Sequence, residues 1–263
     1  MPVSATLRRL AVAASLCLAA AGAHAQRTDG STEPYVPSVG QPGKDVVWVP
    51  TPDLLVSRML DLATVGPRDV VLDLGSGDGR TVVAAAKRGA TAMGIELNPD
   101  LVGLARQRAQ REGVADRARF EQQDLFETDL SRATVITMFL LNEINLKLRP
   151  KLLQLAPGTR IVSNTFRMGE WEPDQTVTLP PSVCVDAWCT AHFWLVPARV
   201  AGTHSVDGGQ LVLEQRFQML TGTLRSGGTT VPVEGRVRGD EVEVKAGGRT
   251  LRGTAGSGGI AWK

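Results

Sequence analysis

Three histidines, three cysteines and one tyrosine are all that the 263 residues hold of those types. His24, His192 and His204 stand apart from one another and from the cysteines, so no metal-ligand spacing is present. An isolated His192 on an apolar strand reads as structural rather than catalytic. Strong charge of either sign is also missing, since 29 basic and 27 acidic residues leave a formal charge of +2. A nearly neutral chain lacks the electrostatic footprint of a nucleic-acid binder. Its basic clusters, Arg106, Arg108, Arg111 and Lys147, Arg149, Lys151, are spaced like solvated helix faces. The apolar run at the N-terminus, Leu10 to Ala21, is too short for a comfortable membrane span.

That run has a different meaning. Arg8 and Arg9 precede it and Ala23-His24-Ala25 follows it, the charged, apolar and small-x-small layout of a secretory signal peptide. Cleavage is expected after Ala25, leaving no stable membrane span and an exported, periplasmic protein; an unused leader would leave it cytoplasmic. Cys17, preceded by Leu16, does not fit a lipoprotein cleavage site. The mature chain keeps only Cys184 and Cys189, which either pair in an oxidising compartment or remain two buried thiols. Residues 26–44 are rich in Pro, Gly, Ser and Thr without apolar periodicity, and read as a flexible linker.

The chain is organised around Val70-Val71-Leu72-Asp73-Leu74-Gly75-Ser76-Gly77-Asp78-Gly79-Arg80. An apolar strand runs into a glycine loop, and a helix-forming segment, Thr81 to Lys87, follows. Strand, glycine loop and helix place a nucleotide-like ligand at the carboxyl end of a parallel sheet. The third glycine comes one residue too early for the dinucleotide fingerprint, and Arg80 stands in its place. Asp73 and Asp78 flank the loop, which disfavours a pyrophosphate and suits a cationic ligand such as a sulfonium.

Further elements follow at regular spacing. Thr51 is a plausible N-cap, with Pro52 first in a helix running to about Ala63. Thr91 to Leu97 reads as a second strand ending near Glu96, about twenty residues beyond Gly75. Glu96 there either accepts from ribose hydroxyls or supplies charge to the helix begun by Asn98-Pro99-Asp100. Ala118 to Gln122 is a third strand with Asp124-Leu125 at its end, where Asp124 is either an adenine acceptor or a turn residue. Thr134 to Phe139 is apolar on both faces and hence central. Asn142 to Leu155 is helical, Arg160 to Asn164 a fifth strand, and Thr176 to Leu179 and Thr190 to Val196 the last two. The alternation predicts an α/β fold, a doubly wound, mostly parallel seven-stranded sheet over residues 45–196. Beyond Pro197, where half of the 28 glycines fall, Gly-Gly pairs at 208–209, 227–228, 247–248 and 258–259 predict a β-meander or barrel-like module over 197–263.

The glycine loop resembles motif I of class I S-adenosylmethionine (SAM) methyltransferases. Together with Val49-Pro50-Thr51-Pro52, Gly94-Ile95-Glu96-Leu97-Asn98-Pro99 and Asp124-Leu125-Phe126, it resembles the ATP synthase c-subunit lysine methyltransferase family and its bacterial relatives. A more distant similarity, through Asn142-Glu143 and the strand after Gly158, is to seven-strand histone-lysine methyltransferases. The resemblance covers about Val47 to Trp171. It implies SAM as cofactor, with Asp73, Gly75, Ser76, Gly77, Asp78 and Gly79 around its methionine end. Glu96 and Leu97 would serve the ribose, Asp124 and Leu125 the adenine, and Thr51 would close over the cofactor. Phe139 to Glu143 would face the methyl group and acceptor, with Asn142 and Glu143 as catalytic candidates.

The residues add an exclusion. Leu141-Asn142-Glu143-Ile144 lacks the Asn/Asp-Pro-Pro-aromatic segment used on planar amines, so adenine and glutamine acceptors are disfavoured. A protein lysine amine is the expected acceptor, deprotonated and positioned with help from Glu143. A small molecule or envelope component, or an exported binding protein without turnover, are the alternatives; the glycine spacing disfavours a nicotinamide enzyme. The leader conflicts with a cofactor made in the cytosol. Arg8-Arg9 is compatible with folded, twin-arginine export but lacks that signal's flanking residues, so an ordinary charged leader is the better reading. Nothing in the sequence sets an oligomeric state.

Overall fold

Two seven-stranded sheets make up the protein, described here from a computed structural model for residues 35–42, 47–184, 187–206 and 208–263. The expected leader over 1–25, and the linker as far as residue 34, lie outside the described residues. The first sheet contains β1 (Val70–Leu74), β2 (Thr91–Glu96), β3 (Ala118–Gln122), β4 (Val135–Met138), β5 (Arg160–Asn164), β6 (Gln175–Thr178) and β7 (Thr190–Leu195). Its order is β3-β2-β1-β4-β5-β7-β6, parallel except for β7, which runs against both β5 and β6. The strand order reverses between β1 and β4, which opens a crevice at their carboxyl ends.

The central strands β1, β4 and β5 are almost wholly buried because both faces are covered, whereas the edge strands β3 and β6 carry exposed polar residues. Val71, Val135 and Val162 join one buried cluster with α1 (Asp53–Leu62), α2 (Arg80–Lys87) and α3 (Pro99–Arg111). Leu72, Ile136 and Ile161, one residue along in register, point to the other face, where α4 (Asn142–Leu152), Trp171 and Trp194 form the second cluster. Asn98 caps α3 as its position predicts, its Oδ1 accepting from the N–H groups of Asp100 and Leu101.

Two local expectations are corrected. Pro52, not Thr51, is the N-cap of α1, and no side chain caps that helix. The Thr51 hydroxyl instead accepts from Nδ2 of Asn164 at 3.3 Å, a buried partner at the end of β5. Residues 35–42, read from composition as the end of a linker, form a turn paired with the chain ahead of α1. Gly40 N–H donates to the Trp48 carbonyl, and Trp48 N–H donates to that of Gln41.

The glycine-rich C-terminal stretch forms an antiparallel meander of β8 (Gly202–Val206), β9 (Gly209–Arg216), β10 (Met219–Ser226), β11 (Thr229–Arg238), β12 (Glu241–Ala246), β13 (Arg249–Gly256) and β14 (Gly259–Trp262). It curls until β14 comes back near β8 and encloses a core that includes Leu211, Leu213, Leu220, Val233 and Val244. The tip of the β9–β10 hairpin reaches the first sheet's second face. There Phe217 stacks on Trp171 at 6.2 Å, and Nε2 of Gln218 donates to the Glu172 carbonyl at 2.7 Å.

Candidate active site

A cavity of about 420 Å³ opens at the crevice between β1 and β4, the size expected of a small-molecule site. The glycine loop forms its floor. Gly79, the left-handed N-cap of α2 at φ +79°, leaves no room for a side chain: a Cβ there would stand 2.7 Å from both Ala105 and Phe120. At Gly77 a Cβ would meet the Trp48 indole nitrogen, also at 2.7 Å, so Trp48 lies directly over the loop. Arg80 fastens the segment above the loop by donating to the Thr51 carbonyl at 2.9 Å.

The acids of the site divide by environment. Asp78 is buried, but bonds and charge from Arg80, with the charge of Arg108, outweigh that burial and hold its carboxyl below the usual range. Asp73 has no such partner, so burial pushes its carboxyl up to about 7. A hydrogen bond from Thr137 opposes this rise, while the charges of Glu96 and Asp78 add to it. At the end of β2, Glu96 accepts three backbone N–H groups, from Gly77 through Oε2 and from Leu97 and Asn98 through Oε1. A carboxylate has about four lone-pair directions, so Oε2 keeps one acceptor position for a ligand at the cavity wall. The Ser76 hydroxyl is buried against the cavity with no hydrogen-bond partner among the described residues.

Comparison with known proteins interprets this arrangement. A family model described as the ANTKMT methyltransferase domain matches residues 73–175. A protein-lysine N-methyltransferase of Saccharolobus islandicus is 44% identical over 135 residues, which cover 50% of this chain and 84% of that protein. The chain belongs to this methyltransferase family. The human ATP synthase c-subunit lysine N-methyltransferase is 43% identical over 108 residues, 41% of this chain and 46% of the human protein. The chain thus spans most of the archaeal relative but about half the length of the human one. A crystal structure from Salinibacter ruber, described as an RNA methyltransferase with S-adenosyl-L-homocysteine, is 51% identical with a TM-score of 0.54. It covers 58% of this chain and 96% of that one.

The residues present fit the cofactor of such a methyltransferase. An orphaned serine hydroxyl, a glycine floor closed to any Cβ and a buried acid awaiting a counter-charge suit a polar, cationic ligand. Thr51, Asp73, Gly75, Ser76, Gly77, Asp78, Glu96, Leu97, Leu125 and Phe139 all line the methyltransferase cavity. Gly79 acts from beneath, as the helix cap. Asp124 holds a turn, its Oδ1 accepting from Phe126 N–H, and Gln123 and Leu125 on either side of it line the cavity.

The two catalytic candidates lie between the lining residues Leu140 and Ile144 without being among the lining themselves. Asn142 and Glu143 are exposed in the first turn of α4. Asn142 Oδ1 accepts from Arg167 N–H, tying α4 to the loop after β5. Sequence reasoning missed Trp48 and Asn164. A tryptophan inside a proline-flanked, weakly patterned stretch was the available signal for the first, whereas the second acts only through a tertiary contact. His192 is structural, its Nε2 meeting the Thr165 carbonyl at 3.1 Å and its Nδ1 the Thr176 hydroxyl at 3.0 Å.

Proposed function

We propose that the protein transfers a methyl group from SAM to a lysine amine of a protein acceptor. The observation that carries this reading is the 44% identity to a protein-lysine methyltransferase over most of that relative's length. SAM supplies a methyl group on a positively charged sulfur. The chain's part is to hold and align. Asp73 and the Ser76 hydroxyl receive the polar, cationic end of the ligand, Glu96 keeps an acceptor at the wall, and Trp48 covers the floor against water. The acceptor amine has to lose its proton before the transfer, because only the neutral amine has a lone pair to attack. A periplasmic location accompanies this reading. The disulfide between Cys184 and Cys189 supports it, since such bonds persist in oxidising compartments.

A second reading, methylation of RNA, is favoured by the description of the Salinibacter structure. The near-zero net charge weighs against it, because nucleic-acid affinity rests on neutralising phosphates. One experiment separates the two. The purified protein is given methyl-tritiated SAM with either a bacterial envelope protein fraction or total RNA. Label recovered as methyl-lysine after protein hydrolysis is the expected result; label confined to RNA would overturn the lysine reading.

A further inference from the structure

Three aromatic side chains gather beside the cofactor cavity. Phe139 leaves β4, Phe166 follows β5 and Trp188 precedes β7, three strands adjacent in the sheet. Ring centroids lie 6.0 Å apart for Phe139 and Phe166, 5.7 Å for Phe139 and Trp188, and 5.6 Å for Phe166 and Trp188. All three are half-buried, and none belongs to the apolar clusters that fill the two faces of the sheet. In a chain only 5% aromatic, such a gathering outside the core asks for a ligand.

Each ring is held from behind. Phe166 follows Thr165, a β-branched residue at φ +59° whose N–H donates to the Thr190 carbonyl and whose own carbonyl meets His192. Trp188 adjoins Cys189, and the disulfide to Cys184 closes the short loop that carries it, with Cα atoms 6.0 Å apart. Phe139 is anchored by the end of β4 and itself lines the cofactor cavity. Rings fixed in this way lose little freedom when a ligand arrives.

We propose that Phe139, Phe166 and Trp188 form the docking wall for the acceptor's cationic head, an alkylammonium group held by cation–π attraction beside the cofactor. This rests on the reading that the acceptor is an amine. The rings touch one another, so the cation docks on their half-exposed outer faces and not between them. Aromatic faces attract an ammonium whether or not it already carries methyl groups, whereas a carboxylate partner would lose a hydrogen bond at each methylation. The wall therefore suits an amine that returns for successive transfers.

The test uses the full chain saturated with S-adenosylhomocysteine, and nuclear magnetic resonance of the Trp188 indole assigned through Trp188→Phe. Tetramethylammonium chloride is titrated against tert-butanol, which is similar in shape but uncharged. Tetramethylammonium is expected to shift the Trp188 signals at millimolar concentration, and tert-butanol is not. In the variants, binding is followed through the tetramethylammonium methyl signal. Trp188→Ala is expected to weaken it about tenfold and Trp188→Phe less, while S-adenosylhomocysteine affinity stays within about twofold. Equal binding of the two probes overturns the proposal, as does full tetramethylammonium binding by both Trp188→Ala and Phe166→Leu. Failure of the lysine reading looks different: label goes to RNA in the acceptor assay. A lysine-methylating protein that ignores tetramethylammonium loses only the wall.

Discussion

Thr137 on β4 donates a 2.6 Å hydrogen bond to Oδ1 of Asp73 on β1, and both side chains are buried. The parallel register sets the two residues opposite one another, so the bond fixes where the acid points. It does not determine the acid's charge. Burial does that, and it leaves Asp73 close to half protonated at neutral pH.

Affinity for SAM should therefore rise with pH. A cationic ligand favours the ionised carboxylate, so binding expels a proton wherever Asp73 still holds one. Calorimetry between about pH 6 and 8 should show affinity increasing by up to about tenfold per unit below 7 and levelling above it. Stability of the ligand-free protein runs the other way. The folded acid holds a proton that the unfolded one has lost between about pH 4 and 7, so the melting temperature falls over that range. Asp73→Asn should flatten both profiles, binding weakly throughout and melting several degrees higher than the parent at pH 8.

Glu96 carries structure as well as ligand. Removing it leaves the N–H groups of Gly77, Leu97 and Asn98 without their acceptor. Glu96→Ala should lower S-adenosylhomocysteine affinity by about a hundredfold or more, and Glu96→Gln by less, in the same calorimetric titration.

Trp48 contributes by covering the loop. Trp48→Ala should retain the fold, weaken S-adenosylhomocysteine about tenfold and speed its dissociation in stopped-flow measurements. An unchanged dissociation rate would mean that the indole is not a cover.

Glu143→Gln should leave turnover within about twofold, because the side chain is exposed and, unlike its neighbour Ile144, does not line the cavity. A large drop in kcat with an intact cofactor affinity would return Glu143 to the catalytic role.

Reducing Cys184–Cys189 should cost about 2 kcal/mol or less, as expected for so short a closed loop. Because Trp188 adjoins Cys189, KM for the acceptor should rise more than the cofactor Kd does; equal effects on both would assign the disulfide to global stability alone.

What could be read from the sequence was whatever depends on neighbours in the chain. Val70 to Leu74, the glycine spacing and Asn98-Pro99 each carry their instructions locally, and the first sheet and the cavity floor follow from them. Thr51 shows the limit. A local rule made it a helix cap, but its hydroxyl is taken by Asn164, 113 residues further along the chain at the end of β5. Trp48 sits just past the linker in a proline-flanked stretch without periodicity, and its place over the glycine loop is a tertiary contact that no local pattern marks. Phe166 and Trp188 lie on loops, where no periodicity marks a side chain as belonging to a site.

The β9–β10 hairpin tip has a last consequence. Phe217 lies flat against Trp171 while the guanidinium of Arg149, from α4, sits 5.3 Å above the same ring. Trp171 is wholly buried, and Phe217 packs against the cluster to which it belongs. A catalytic half trimmed at residue 197 would inherit an unfinished interior and clump through the exposed indole. The meander is a keystone, and the two sheets must be transplanted, engineered or lost together.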